Sequence, residues 1–119
     1  MFASYNILFQ MTVKSSEFEK ELQHIALIAK VLSHPARLAI LKYLAGAKTC
    51  ISGEIAHEIP LSRTTVSQHL QELKIAGLIK GEIDGTRINY CLNTEAINKN
   101  KVILMSFFQS LDIELNCDC

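Results

Sequence analysis

The chain has 119 residues, 49% of them apolar and 20% charged, and its 12 basic and 12 acidic side chains cancel. That length fits one globular domain, small enough for a dimer interface to help its core, and the composition excludes a disordered chain. Neutrality excludes broad attraction to nucleic acid, so any DNA contact must come from a local surface.

No apolar run approaches the ~20 residues that span a bilayer. The start "MFASYNILFQM" lacks the basic region of a signal peptide. These features give a cytoplasmic protein with no membrane partner. Its four cysteines are then thiols suited to metal or redox chemistry rather than structural disulfides. There is no Gly-rich phosphate loop, no nucleophile elbow and no His-Glu-x-x-His, and no nucleophile-base pair or paired carboxylates can be placed, so an enzyme is not expected.

Residues 1–15 read as an N-terminal extension and residues 16–119 as the folded domain. Phe18, Leu22, Ile25, Ala29 and Leu32 recur at spacings of four and three, which predicts a first amphipathic helix from about Ser16. His34-Pro35 interrupts it and opens a second helix, because Pro suits a first helical turn. Leu38, Leu41 and Leu44 are expected to line that helix and Gly46 to end it. "KTCI" is short and β-tolerant. Ser52 is an expected N-cap for a third helix through about Glu58, with Glu54 near its positive end.

After Pro60 and Leu61, Ser62 is placed to cap a fourth helix that runs to Ala76 and stops at Gly77. Two short helices joined by a tight turn make a helix-turn-helix. "LIKGEIDGTRINYCLN" then reads as two strands around Asp84-Gly85, a strong hairpin signal. From about Thr94 a last helix carries Ile97, Leu104, Phe108, Leu111 and Leu115. The predicted fold is mainly α with a small β-hairpin wing: a winged helix-turn-helix.

Within "LSRTTVSQHLQEL", Leu61 to Leu73, steps of 100° cluster Val66, Leu70 and Leu73 on one side and Thr64, Ser67, Gln68 and Gln71 on the other. Ser, Thr and Gln are indifferent helix formers, so a merely solvated face would use Glu, Lys or Ala more cheaply. Short uncharged groups that both donate and accept suit base edges in a DNA groove. Arg63 lies at the helix N-terminus, the end a recognition helix points into the major groove. A plain solvated face is the alternative. Ile75 falls on the exposed side without an evident reason.

"VLSHPARLAILKYL", "LSRTTVSQHLQELKIAGLI", the Asp84-Gly85 wing and "INYCLN" together resemble the ArsR/SmtB family of metal-responsive repressors. The resemblance covers roughly Ala26 to Asn93. It implies a homodimer, joined mainly through the first and last helices, that binds double-stranded operator DNA without a cofactor and leaves it when an inducer arrives. It places Ser62, Arg63, Thr64, Thr65, Ser67, Gln68 and Gln71 against DNA. Arg87, after the wing turn, is placed against DNA backbone or minor groove. His69 holds the family's "HL" position, where a structural hydrogen bond is expected. His34 reads as a helix-start residue, and His24 and His57 as surface residues without ligand-type partners.

The family's sensing sites vary, and this chain departs from two of them. A Cys-x-Cys near the third helix is incomplete, because Ser52 follows Cys50. A site of Asp and His along the last helix is not expected, because no His follows Thr94. Cys50, Cys91, Cys117 and Cys119 remain as the candidate metal ligands. Strand alternation turns Ile88, Tyr90 and Leu92 inward and Cys91 outward, and likewise Ile51 inward and Cys50 away. In winged helices the segment before the third helix can pair with the second wing strand, and that topology makes Cys50 and Cys91 expected cross-strand neighbours. A set of thiolates without His suits soft ions: As(III), Sb(III) or Cd(II). Two alternatives stand beside that repressor. One is the same fold switched by thiol redox or persulfide chemistry; the other is a winged helix used only for protein association.

Overall fold

The computed structural model describes residues 18–52, 55, 58–84 and 87–117. The N-terminal extension, Cys119 and the Gly85 of the wing turn lie outside them. The elements are α1 (Lys20–Val31), α2 (Pro35–Ala47), β1 (Ile51–Ser52), α3 (Arg63–Ile75), β2 (Ile79–Asp84), β3 (Arg87–Leu92) and α4 (Thr94–Ser110).

Helix α1 starts four residues later than its apolar spacing suggests. Phe18 precedes it and is exposed, and Glu19 at the N-cap makes no side-chain cap. The apolar stripe also needs correction. Ile28, which that stripe omits, is the one buried residue of α1, whereas Leu22 and Ala29 are exposed. The helix meets its own core along a narrow line, so most of its apolar face is left over.

At α2 the local chemistry acts as read. His34 caps the helix, its Nδ1 accepting from the Ala36 N–H at 3.0 Å, and Pro35 occupies the first turn. The buried face matches the expected one in part: Leu44 is buried and Leu41 packs half-buried on the core, but Leu38 is exposed and Ala36 and Ile40 are buried instead. Gly46 does not end the helix. The chain continues to Ala47, and Lys48 takes the left-handed conformation at φ 56°.

Ser52 is the second residue of β1, paired with Asn89, and the first turn it was expected to cap lies largely outside the described residues. The helix expected to follow falls largely on residues outside the described set. Ile55 within it is buried, and its carbonyl accepts from the Glu58 N–H at 3.1 Å.

The sheet runs β1-β3-β2, antiparallel throughout. Its hairpin is paired from Ile79 opposite Leu92 to Asp84 opposite Arg87. Ile28, Ile40, Leu44, Ile55, Val66, Leu70, Leu73, Leu78 and Ile79 form the core, with Ile51, Tyr90 and Leu92 packed against it. The inward and outward alternation expected for β1 and β3 is therefore present.

Asn93 joins the wing to the rest. Its side chain caps α4 by accepting from the Ala96 N–H at 3.3 Å and donates to the Gly77 carbonyl at 2.9 Å, and its N–H donates to the Leu78 carbonyl. Helix α4 ends at Ser110, so Leu115 lies beyond it. None of its described side chains is buried. No single helix among the described residues is long and apolar enough to cross a membrane.

Candidate nucleic-acid interface and cysteine pair

Helix α3 is fixed at both ends by its own sequence. At the start, Ser62 Oγ accepts from the Thr65 N–H at 3.2 Å and shares a 2.8 Å hydrogen bond with Thr65 Oγ1. At the end, the Leu78 N–H donates to the Leu73 carbonyl and the Gly77 N–H to the Lys74 carbonyl, both at 3.0 Å. With Gly77 at φ 82°, this is a Schellman closure, which satisfies carbonyls that helix termination would otherwise orphan.

Between these ends the faces separate as the sequence requires. Val66, Leu70 and Leu73 are 1%, 4% and 0% exposed, whereas Thr64, Ser67, Gln68 and Gln71 are all exposed. Arg63 is exposed in the first turn. The eight candidate DNA residues thus fall into three groups. Arg63, Thr64, Ser67, Gln68 and Gln71 form an open surface. Ser62 and Thr65 engage each other in the cap, and Thr65 is half-buried. Arg87 stands apart as the first residue of β3, at the wing tip. Ile75 is 77% exposed, as its position suggested, and nothing among the described residues covers it.

His69 faces the opposite way from the stripe and is 8% exposed. Its Nδ1 accepts from Arg37 Nε at 3.1 Å, and the His34 ring lies 4.3 Å away between centroids. Burial, and after it the nearby His34 and Arg37, push its pKa below the ordinary 6.5, with Glu72 opposing them. The structural hydrogen bond expected of His69 is present. Its partner Arg37 was not anticipated, although an arginine within the otherwise apolar "PARLAIL" was the available signal. His24 is exposed, as read, and meets Asn100 Oδ1 at 2.6 Å, which links α1 to α4. His57 lies outside the described residues.

The cysteines divide in the same manner. Register sets Ile51 opposite Tyr90, and so Cys50 opposite Cys91. Their Cα atoms are 4.3 Å apart, the spacing of a close antiparallel pair, and the two sulfurs form a disulfide, which corrects the expectation of four free thiols. Cys50 is exposed and Cys91 half-buried. Oxidised, the pair offers a metal no thiolate; reduced, it offers two from adjoining strands. Cys117 is exposed on the segment after α4, and Cys119 lies outside the described residues. Among the described residues no group of three or more His, Cys, Asp or Glu side chains is set to hold a metal.

Comparison with known proteins agrees with this architecture. A family of helix-turn-helix domains matches residues 32–82. The chain is 35% identical over 83 residues to the HTH-type transcriptional regulator YgaV of Escherichia coli, covering 70% of this chain and 84% of that one. Among solved structures, it resembles a homodimeric winged helix-turn-helix DNA-binding domain from Mycobacterium bovis, described as a possible ArsR-family regulator. That match has 27% identity and a TM-score of 0.57, over 82% of this chain and 90% of the other. A possible transcriptional regulator for arsenical resistance matches at 28% identity and a TM-score of 0.55, over 71% and 83% of the two chains.

Proposed function

This chain belongs to the ArsR/SmtB family of winged helix-turn-helix transcriptional regulators, which are DNA-binding proteins and not enzymes, and we propose that it is a cytoplasmic, homodimeric repressor released from its operator by cysteine chemistry. In this reading the reduced thiolates of Cys50 and Cys91, together with Cys117 and Cys119 of the tail, capture a soft ion: As(III), Sb(III) or Cd(II). One observation carries the reading. Cys50 and Cys91 face each other across two strands, one leading into the helix-turn-helix and the other forming the wing.

The donor chemistry supports the ion class. Thiolates without imidazole favour soft metals and metalloids over zinc or nickel. DNA binding itself needs no cofactor: Thr64, Ser67, Gln68 and Gln71 read base edges, while Arg63 and Arg87 hold backbone. An ion bound at the sulfurs alters DNA affinity only through its preference for the released form. A hundredfold loss of operator affinity requires a hundredfold preference, about 2.8 kcal/mol. The contact that transmits it is β1, whose partner β3 carries both Cys91 and Arg87.

The disulfide itself favours a second reading, in which the pair is a redox switch. Two thiols and a peroxide give one disulfide and water, with no metal involved.

A single titration separates the readings. Operator release from the fully reduced protein is followed with arsenite, cadmium, zinc and peroxide in turn. Release by arsenite or cadmium, lost in Cys50→Ser and Cys91→Ser, is the expected result. Release by peroxide alone would replace the metal reading with the redox one, and release by zinc alone would overturn both.

A further inference from the structure

Arg37 touches three elements at once. It sits on α2, donates through Nη1 to the Val31 carbonyl at the end of α1 (3.2 Å), and donates through Nε to His69 on α3 (3.1 Å). Both acceptors are otherwise exposed to loss: the first is a helix-end carbonyl, the second a ring nitrogen in a buried side chain. Because a guanidinium only donates, the Nδ1 of His69 must carry a lone pair. The proton of the neutral ring is then on Nε2, a buried atom without a hydrogen-bond partner among the described residues.

His34 completes the cluster. Its Nδ1 accepts from the Ala36 N–H at 3.0 Å, and its ring packs on His69 with centroids 4.3 Å apart. Among the described residues, the charged and titratable groups facing His69 are His34 and Arg37 from α2 and Glu72 from α3. We propose that Arg37 and His34 are positioning residues that seat the DNA-reading helix through the unprotonated Nδ1 of His69, so that protonating His69 unseats α3 and weakens operator binding. This holds whichever inducer the cysteines sense.

The physical sequence is short. A proton added at Nδ1 replaces the acceptor with a donor aimed at another donor, and places a second positive charge beside the Arg37 guanidinium in a desolvated site. Glu72 compensates in part. The opposite face of the same helix turn carries Gln68 and Gln71, so a tilt that relieves the clash moves the base-reading side chains. Burial first, and after it His34 and Arg37, push the event below the ordinary histidine value.

Operator affinity measured by fluorescence anisotropy from about pH 7.5 to about pH 5.5 tests the proposal. His69→Gln keeps an acceptor for Arg37 but cannot titrate. The wild type should lose affinity relative to this variant by up to about tenfold per pH unit once His69 protonates. Equal slopes for the two proteins would overturn the proposal. Arg37→Gln should lower affinity at neutral pH and flatten the difference. Nitrogen-15 NMR of wild-type histidines decides the matter even if a variant fails to fold. His69 should be the Nε2–H tautomer at neutral pH, and an Nδ1–H tautomer would exclude the Arg37 contact.

Discussion

Thr64, Ser67, Gln68 and Gln71 share one exposed face, yet Ser62 and Thr65 beside them engage each other, and variants should separate the two roles. Gln68→Ala or Thr64→Ala should relax base preference, costing about 1–3 kcal/mol per lost specific contact, while leaving random-sequence binding intact. Equal losses on operator and random DNA would show that these residues do not read bases. Ser62→Ala should instead lower the stability of the fold by about 1 kcal/mol in urea, because an N-cap is lost. His69 adds a pH dependence to stability. Its folded pKa lies below its unfolded value, so the unfolded chain binds the extra proton first. Stability should be level above about pH 6.5, fall as pH drops below it, and level again below the folded pKa. The stripe was legible from 100° steps along one segment. The Arg37–His69 contact was not, because it joins residues 32 apart through tertiary packing that no local period encodes.

Helix ends show why some boundaries were legible and others were not. Gly77 was identified as the end of α3, and it stops the helix because its φ of 82° suits Gly and disfavours side chains. Gly46 was identified in the same way and does not stop α2. Helix α2 runs on to Ala47, and Lys48 takes the left-handed position instead. The same logic separates predicted from observed faces: Ile28, and Ile40 in place of Leu38, were chosen by tertiary contact rather than by period. The end of α3 can be tested without disturbing packing. A Cβ at Gly77 meets nothing within 4 Å, so Gly77→Ala measures backbone strain alone. It should destabilise the protein by about 1–2 kcal/mol, read from denaturant midpoints. Gly77→Asn should cost less, since Asn tolerates the left-handed region. Equal stability of Gly77→Ala and wild type would show that the Schellman closure is dispensable.

One protomer leaves too much apolar surface uncovered for a finished fold. Leu22 and Leu27 on α1 are 41% and 51% exposed, and Val102, Met105 and Phe108 on α4 are 66%, 51% and 66% exposed. Helix α4 buries no described side chain, although it is the longest helix among the described residues. Such contiguous apolar faces are typical of association surfaces. The sequence marked both terminal helices as seams, but could not say which residues serve the protomer and which the partner. Leu104 looked like seam from its spacing, yet it is half-buried against the protomer's own core, as is Ile97. A charge at Leu104 would therefore mix folding with assembly, whereas Phe108 lies outside that core. Phe108→Glu should leave thermal stability of the protomer nearly unchanged while weakening dimerisation and operator binding together. Binding falls because two half-sites about one helical turn apart need two linked readers. Sedimentation and anisotropy on the same samples decide it. A variant that still sediments as a dimer at nanomolar concentration would place the seam elsewhere, and a monomer with undiminished operator affinity would show that one winged helix suffices.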